Sequence, residues 1–167
     1  MKRQRGFTVV EFVIAMLILG VVAGFGIPAF NEMSRSNQMT NTANDTLLAL
    51  QLARSEAHTR SRTVTACASS DGQTCGNNWA DGWLVFVDGS LGGSTDDFDQ
   101  DDVLRISEKS NVVTTEGGPT AVSFMATGEV VQGNGTIRLE RPGCEAGDAR
   151  EIRVPRGGRA RVRVADC

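Results

Sequence analysis

The feature that most constrains this chain is residues 12–30, nineteen consecutive positions without a formal charge. As an α-helix rising 1.5 Å per residue, such a run spans roughly 28 Å, close to the hydrocarbon thickness of a bilayer. A single carboxylate, Glu11, stands at its N-terminal end, and Lys2, Arg3 and Arg5 precede that. A carboxylate held alone in hydrocarbon is costly, so Glu11 is expected to have a purpose. A removed secretory signal fits poorly. In such a signal the small-residue cleavage site follows the apolar region, whereas Gly6 precedes it here and charge resumes only at Glu32 and Arg35. Basic residues ahead of the run place the N-terminus in the cytoplasm by the positive-inside rule and leave the rest of the chain periplasmic.

Of the 167 residues, about 130 lie beyond the leader and the apolar run, enough for one domain and too few for two. Nineteen Gly, seven Phe and no Tyr point to a turn-rich, β-leaning domain. The formal charge of −3 falls to −6 once Lys2, Arg3 and Arg5 leave with a leader. That average hides an asymmetry. From Asp81 to Glu116 nine acids face only Arg105 and Lys109, whereas from Arg138 to Arg163 eight arginines face four acids. Such polarity sets up distinct surfaces, and a basic one attracts polyanions. Four cysteines in a chain facing the periplasm read as disulfides rather than metal ligands. Three connectivities are open. The preferred one joins Cys67 to Cys75, close enough to staple one loop, and Cys144 to Cys167, tying the C-terminus back to the body.

Past Pro28 the chain continues as an amphipathic helix to about His58. Met33, Leu47, Leu48, Leu50 and Leu52, with Ala43, Ala49, Ala53 and Ala57, supply its apolar face. Strands are expected at 63–67, 83–87, 103–106, 121–125, 130–131, 136–139, 152–154 and 161–164, several of them alternating apolar and polar residues as half-buried strands do. A long helix packed on antiparallel sheet makes an α+β arrangement.

The leader, the Gly6/Phe7 junction, Glu11 and Pro28 together resemble the class III signal of type IV pilins and type II secretion pseudopilins. The resemblance implies that a prepilin peptidase cuts after Gly6 and methylates the new amine of Phe7. It further implies that Glu11, at the fifth mature position, docks the subunit into a growing fibre, and that Pro28, at the twenty-second, kinks the helix. The stretch Leu52-Ala53-Arg54-Ser55-Glu56-Ala57, the strand ending at Cys67, Asp81-Gly82-Trp83-Leu84-Val85-Phe86-Val87-Asp88, Val103-Leu104-Arg105 and the step from Phe124 to Gly128 resemble the GspH/FimT group of minor pilins and pseudopilins. That family implies the type IV pilin fold, with a leader at 1–6, a transmembrane and fibre-core helix at 7–30, an amphipathic helix at 31–60 and a periplasmic β-rich head at 61–167. Its implied partners are other major and minor pilins, the prepilin peptidase, the inner-membrane assembly platform and the membrane itself. Its implied location is first the inner membrane, as a single-pass protein, and then the pilus fibre or tip. The H-type pseudopilin of a type II secretion system is the alternative within the same family.

The C-terminal segment 155–163 carries the remaining chemistry. In an extended strand Arg159, Arg161 and Arg163 share one face, spaced roughly 6.6–6.8 Å apart, which suits successive phosphates of a nucleic-acid backbone. Gly157 and Gly158 allow a backbone to approach closely, and without a base-reading element binding would be sequence-independent and salt-sensitive. Gly158-Arg159-Ala160-Arg161 also resembles the G-R-x-R motif of DNA-binding FimT-type minor pilins, which act as DNA receptors in natural transformation. The other reading, a solvated edge strand whose charges pair with acids and deter aggregation, stays open. The acidic run 96–102 offers oxygen ligands but lacks the order and closing Glu of an EF-hand, and reads as a solvated loop. Trp79 and Trp83 read as core. His58 has no nucleophile partner, and neither an enzymatic role nor a cofactor or metal is expected.

Overall fold

The computed structural model describes residues 8–89, 102–107, 113–143, 147 and 149–167. Gly6, Phe7, Cys144 and all of the acidic run except Asp102 lie outside them. The chain divides into two compact units, residues 1–37 and 38–167, and one helix, α1 (Val9–Arg60), contributes to both.

In the first unit α1 is long and apolar enough to cross a membrane. Every large apolar side chain between positions 9 and 30 is at least 51% exposed, so this surface has no covering among the described residues. Pro28 lies inside the helix without ending it. It removes one internal hydrogen bond, and its ring crowds the carbonyl four residues earlier, the physical basis of a kink.

In the second unit α1 buries Met39, Ala43, Thr46, Ala49, Leu50, Ala53 and Ala57. The stripe therefore joins the expected Ala43, Ala49, Leu50, Ala53 and Ala57 with Met39 and Thr46, and Leu47 and Leu52 pack partly buried against the core. Leu48 is 56% exposed, and Met33, in the first unit, 60%. Spacing decides this: 39, 43, 46, 50, 53 and 57 alternate steps of four and three along one helix face, and small side chains there let strands approach the helix axis. The helix runs to Arg60 and stops at Ser61, which adopts φ 53°, the left-handed conformation that terminates many helices.

Among the described residues nine strands follow: β1 (Val64–Ala68), β2 (Trp83–Val87), β3 (Val103–Ser107), β4 (Thr114–Thr115), β5 (Ala121–Phe124), β6 (Val130–Gln132), β7 (Gly135–Glu140), β8 (Ala149–Val154) and β9 (Arg161–Ala165). They form two sheets, in the orders β3-β2-β1-β5-β6 and β4-β7-β8-β9, and every paired neighbour is antiparallel. The two-residue β4 and a 3-10 turn at Trp79–Asp81 are the elements sequence periodicity did not indicate.

One core joins α1 to both sheets: Val64, Ala66, Val85, Val122 and Phe124 from the first meet Ile137, Leu139, Ile152 and Val154 from the second. The central strand β1 is buried on both faces. Its other face packs Cys67 with Leu84, Phe86 and Ala121, and there Thr65 exchanges a 2.8 Å hydrogen bond with Ser123 directly across the ladder. Both tryptophans are core residues, Trp79 donating its indole N–H to the Pro119 carbonyl at 2.8 Å. Cys67 and Cys75 are bonded, with Cα atoms 5.7 Å apart. The loop they close is ordered by Asp71, whose carboxylate accepts the backbone N–H groups of Gln73 and Thr74 and thereby lies well below the usual carboxylate range. Cys167 is disulfide-bonded too.

Candidate functional site

Two parts of the chain carry the candidate groups. The first is the start of α1. Thr8 precedes the helix, and its hydroxyl accepts the Glu11 backbone N–H at 3.3 Å. Thr8-x-x-Glu11 has the spacing of a capping box. The free N–H groups of the first turn and the positive end of the helix dipole thus lie at the Glu11 end, which lowers the cost of a carboxylate in apolar surroundings.

The second is the C-terminal end of the head. Strand β9 is an edge strand of its sheet, pairing on one side with β8 only. Its register sets Arg161 opposite Arg153 and Arg163 opposite Glu151; on the other side of β8, Arg138 of β7 also faces Glu151. Two rows of opposite character result. In one, Glu151 sits between two arginines: Arg163 donates to it at 2.8 and 2.5 Å, and Arg138 at 3.1 Å. Arg138 also pairs with Glu140. Two residues along the ladder, on the same face, Arg153 and Arg161 stand opposite each other with no acid between them.

Electrostatics follow the geometry. The hydrogen bond from Arg163, with the charges of Arg163 and Arg138, holds the Glu151 carboxyl below its ordinary range against the opposing effect of burial. The bond to Glu140 pushes the Arg138 guanidinium up. Arg153, Arg156, Arg159 and Arg161 are exposed and make no side-chain hydrogen bond or ion pair among the described residues. Like charges directly across a ladder repel, so such a patch is stabilised by an external anion.

The expected row of three is therefore altered. β9 begins at Arg161, so Arg159 lies before the strand, in the turn. Arg163 is exposed yet engaged by Glu151. Gly158 is buried, approached by the chain's own backbone, and has a definite reason to be glycine. It adopts φ +75°, and a Cβ there would sit 2.0 Å from the Gly128 carbonyl oxygen. That close approach is tied by Arg54 of α1, which donates to the Gly128 carbonyl at 2.9 Å and to the Gly157 carbonyl at 3.3 Å. Arg159 and Arg161 consequently border two grooves. One, of about 630 Å³, lies against α1 and includes Gln51, Arg54, Ser55 and His58. The other, of about 250 Å³, includes Arg153 and Pro155. Sequence reasoning missed Arg153, whose role depends on strand register, and Arg54, which is distant in sequence from the turn it fastens.

Among solved structures, the type IV minor pilin FimU of Pseudomonas aeruginosa PAO1 is similar in two crystal forms. In one the TM-score is 0.56 at 19% identity, over 76% of this chain and 89% of that one. In the other it is 0.54 at 21% identity, over 74% and 91%. This likeness shows the fold, a long N-terminal helix with antiparallel sheets. No curated protein sequence matches significantly. The prokaryotic N-terminal methylation motif matches residues 1–27, and the type II transport protein GspH family matches residues 42–158. With most of the chain so covered, this protein belongs to the GspH family.

Proposed function

We propose that the chain is a minor pilin of a type IV pilus. Proteins of this family and fold are structural subunits, not enzymes. The observation that carries the reading is the methylation motif over residues 1–27 directly joined to an exposed apolar helix with one carboxylate, Glu11, in its first turn. In this reading the protein is a single-pass inner-membrane protein with its N-terminus in the cytoplasm and residues 61–167 in the periplasm. Prepilin peptidase cuts after Gly6 and methylates Phe7. Glu11 then pairs with a neighbouring subunit's amine as the helix enters the fibre core, where a paired carboxylate escapes the cost of lone burial. Pro28 relaxes the helix for that packing, and a Cys144–Cys167 bond anchors the C-terminus. Co-expression with a prepilin peptidase tests the processing: intact mass is expected to fall by residues 1–6 and gain one methyl group, and an uncleaved chain would overturn it.

The unpaired guanidiniums at the head's C-terminal end support a second task, contact with the phosphate backbone of double-stranded DNA through Arg159 and Arg161. Arg163 is less available because Glu151 engages it. Binding should weaken steeply with salt, and Arg159→Gln/Arg161→Gln should abolish it. Equal binding by that double variant would remove the arginines from the role. The match to the GspH family favours one other reading, a minor pseudopilin of a type II secretion system. Deleting the gene separates the two: loss of surface fibres fits the pilus, loss of secreted protein the pseudopilus.

A further inference from the structure

The larger of the two grooves has a wall no arginine motif includes. Opposite Arg159 and Arg161 stand Gln51, Ser55 and His58 of α1, and the groove's lining among the described residues includes no carboxylate. His58 is exposed, and its Nδ1 lies 3.0 Å from the Ala126 carbonyl oxygen. A carbonyl only accepts, so Nδ1 carries the proton in the neutral ring and Nε2 is left as an acceptor. On protonation Nε2 becomes a cationic donor. The wall thus changes from one that disfavours an anion to one that binds it, without moving any backbone.

We propose that this groove seats a backbone phosphate of bound nucleic acid between the arginine turn and α1, with His58 as a binding residue on the helix wall that strengthens the contact when protonated. The inference rests on the phosphate-binding reading of Arg159 and Arg161. Arg54 holds the groove's width by joining the Gly128 and Gly157 carbonyls, and adds a positive charge of its own. The charged groups on the elements that meet at His58 are few. α1 brings Arg54, and Glu56 paired with Arg60 at 2.7 Å. The turn after β5 brings Glu129, which is exposed, and the 157–161 turn brings Arg159 and Arg161. Of these only Arg54, Arg159 and Arg161 line the groove, so protonation of His58 adds to a positive field and a phosphate offsets the repulsion. Histidine is the side chain whose charge ordinarily changes between pH 5 and 8, and the test spans that window.

The test uses the full-length protein in a non-ionic detergent and a fluorescently labelled random-sequence DNA duplex, with anisotropy read at pH 8.0 and 5.8 at one ionic strength. The parent should bind about fivefold more tightly at the lower pH, the scale of one added exposed ion pair. His58→Gln, whose amide can still donate to Ala126, should lose that response. Arg153→Gln, in the smaller groove, should weaken binding at both pH values while keeping the ratio. The His58 ring resonances followed by NMR should titrate at higher pH once DNA is added. A pH response retained in His58→Gln, or a His58 titration unmoved by DNA, would overturn the role of His58. Binding that is lost in Arg159→Gln/Arg161→Gln but insensitive to pH in the parent would overturn this inference and leave the arginine reading intact. An absence of binding at low salt at either pH would overturn both.

Discussion

At the residue scale the charges of the β8–β9 face divide by a single carboxylate. Glu151 takes up Arg163 and Arg138, whereas Arg153 and Arg161, two register steps away on the same face, have no acid opposite them. Folding depresses the pKa of Glu151, so its contribution to stability is fully present above the unfolded-state value, near pH 4.3 for a glutamate, and is lost as pH falls through the lower folded-state value. Glu151→Gln should therefore have a lower melting temperature than the parent at pH 7 and lose less on acidification to pH 3. Equal acid sensitivity of the two would show that the arginine bridge does not contribute. The same substitution frees Arg163 and should tighten DNA binding at pH 7, measurable by anisotropy. At this scale Arg159, Arg161 and Gly158 were legible as residue types at a spacing. The availability of each arginine was not, because it depends on which residue stands opposite in the ladder.

At the element scale the helix and most strands follow from periodicity, and the differences have physical causes. The face of α1 that enters the head is built on Ala43, Ala49, Ala53 and Ala57, all fully buried, while Leu48 stays outside. Ranking residues by hydrophobicity favours leucine. Helical spacing combined with a close sheet favours the smallest apolar side chain. A larger residue on this face should clash: Ala53→Leu is expected to cost about 1–3 kcal/mol through overpacking, read as a lower urea midpoint with unchanged slope. A neutral effect would mean that the helix stands off from the sheets. β4, two residues long, offers too short a run for any periodicity.

At the scale of the whole molecule the informative relation is the order of segments: a methylation motif, an exposed apolar helix, and a GspH-family head. That order was legible because its chemistry is local, with a glycine junction, one acid and one proline at fixed intervals. What the head contacts was less so, since grooves and unpaired charges arise only when distant residues such as Arg54 and Gly158 are brought together. In the proposed function the first turn of α1 is an assembly device, with Thr8 capping the helix and Glu11 supplying the carboxylate. The most direct test is the amount of subunit in sheared fibres for Glu11→Ala compared with the parent, with processing followed in the same cells. Normal cleavage after Gly6 and a fibre fraction strongly depleted of the variant are expected. Parent-level incorporation of Glu11→Ala would contradict that function.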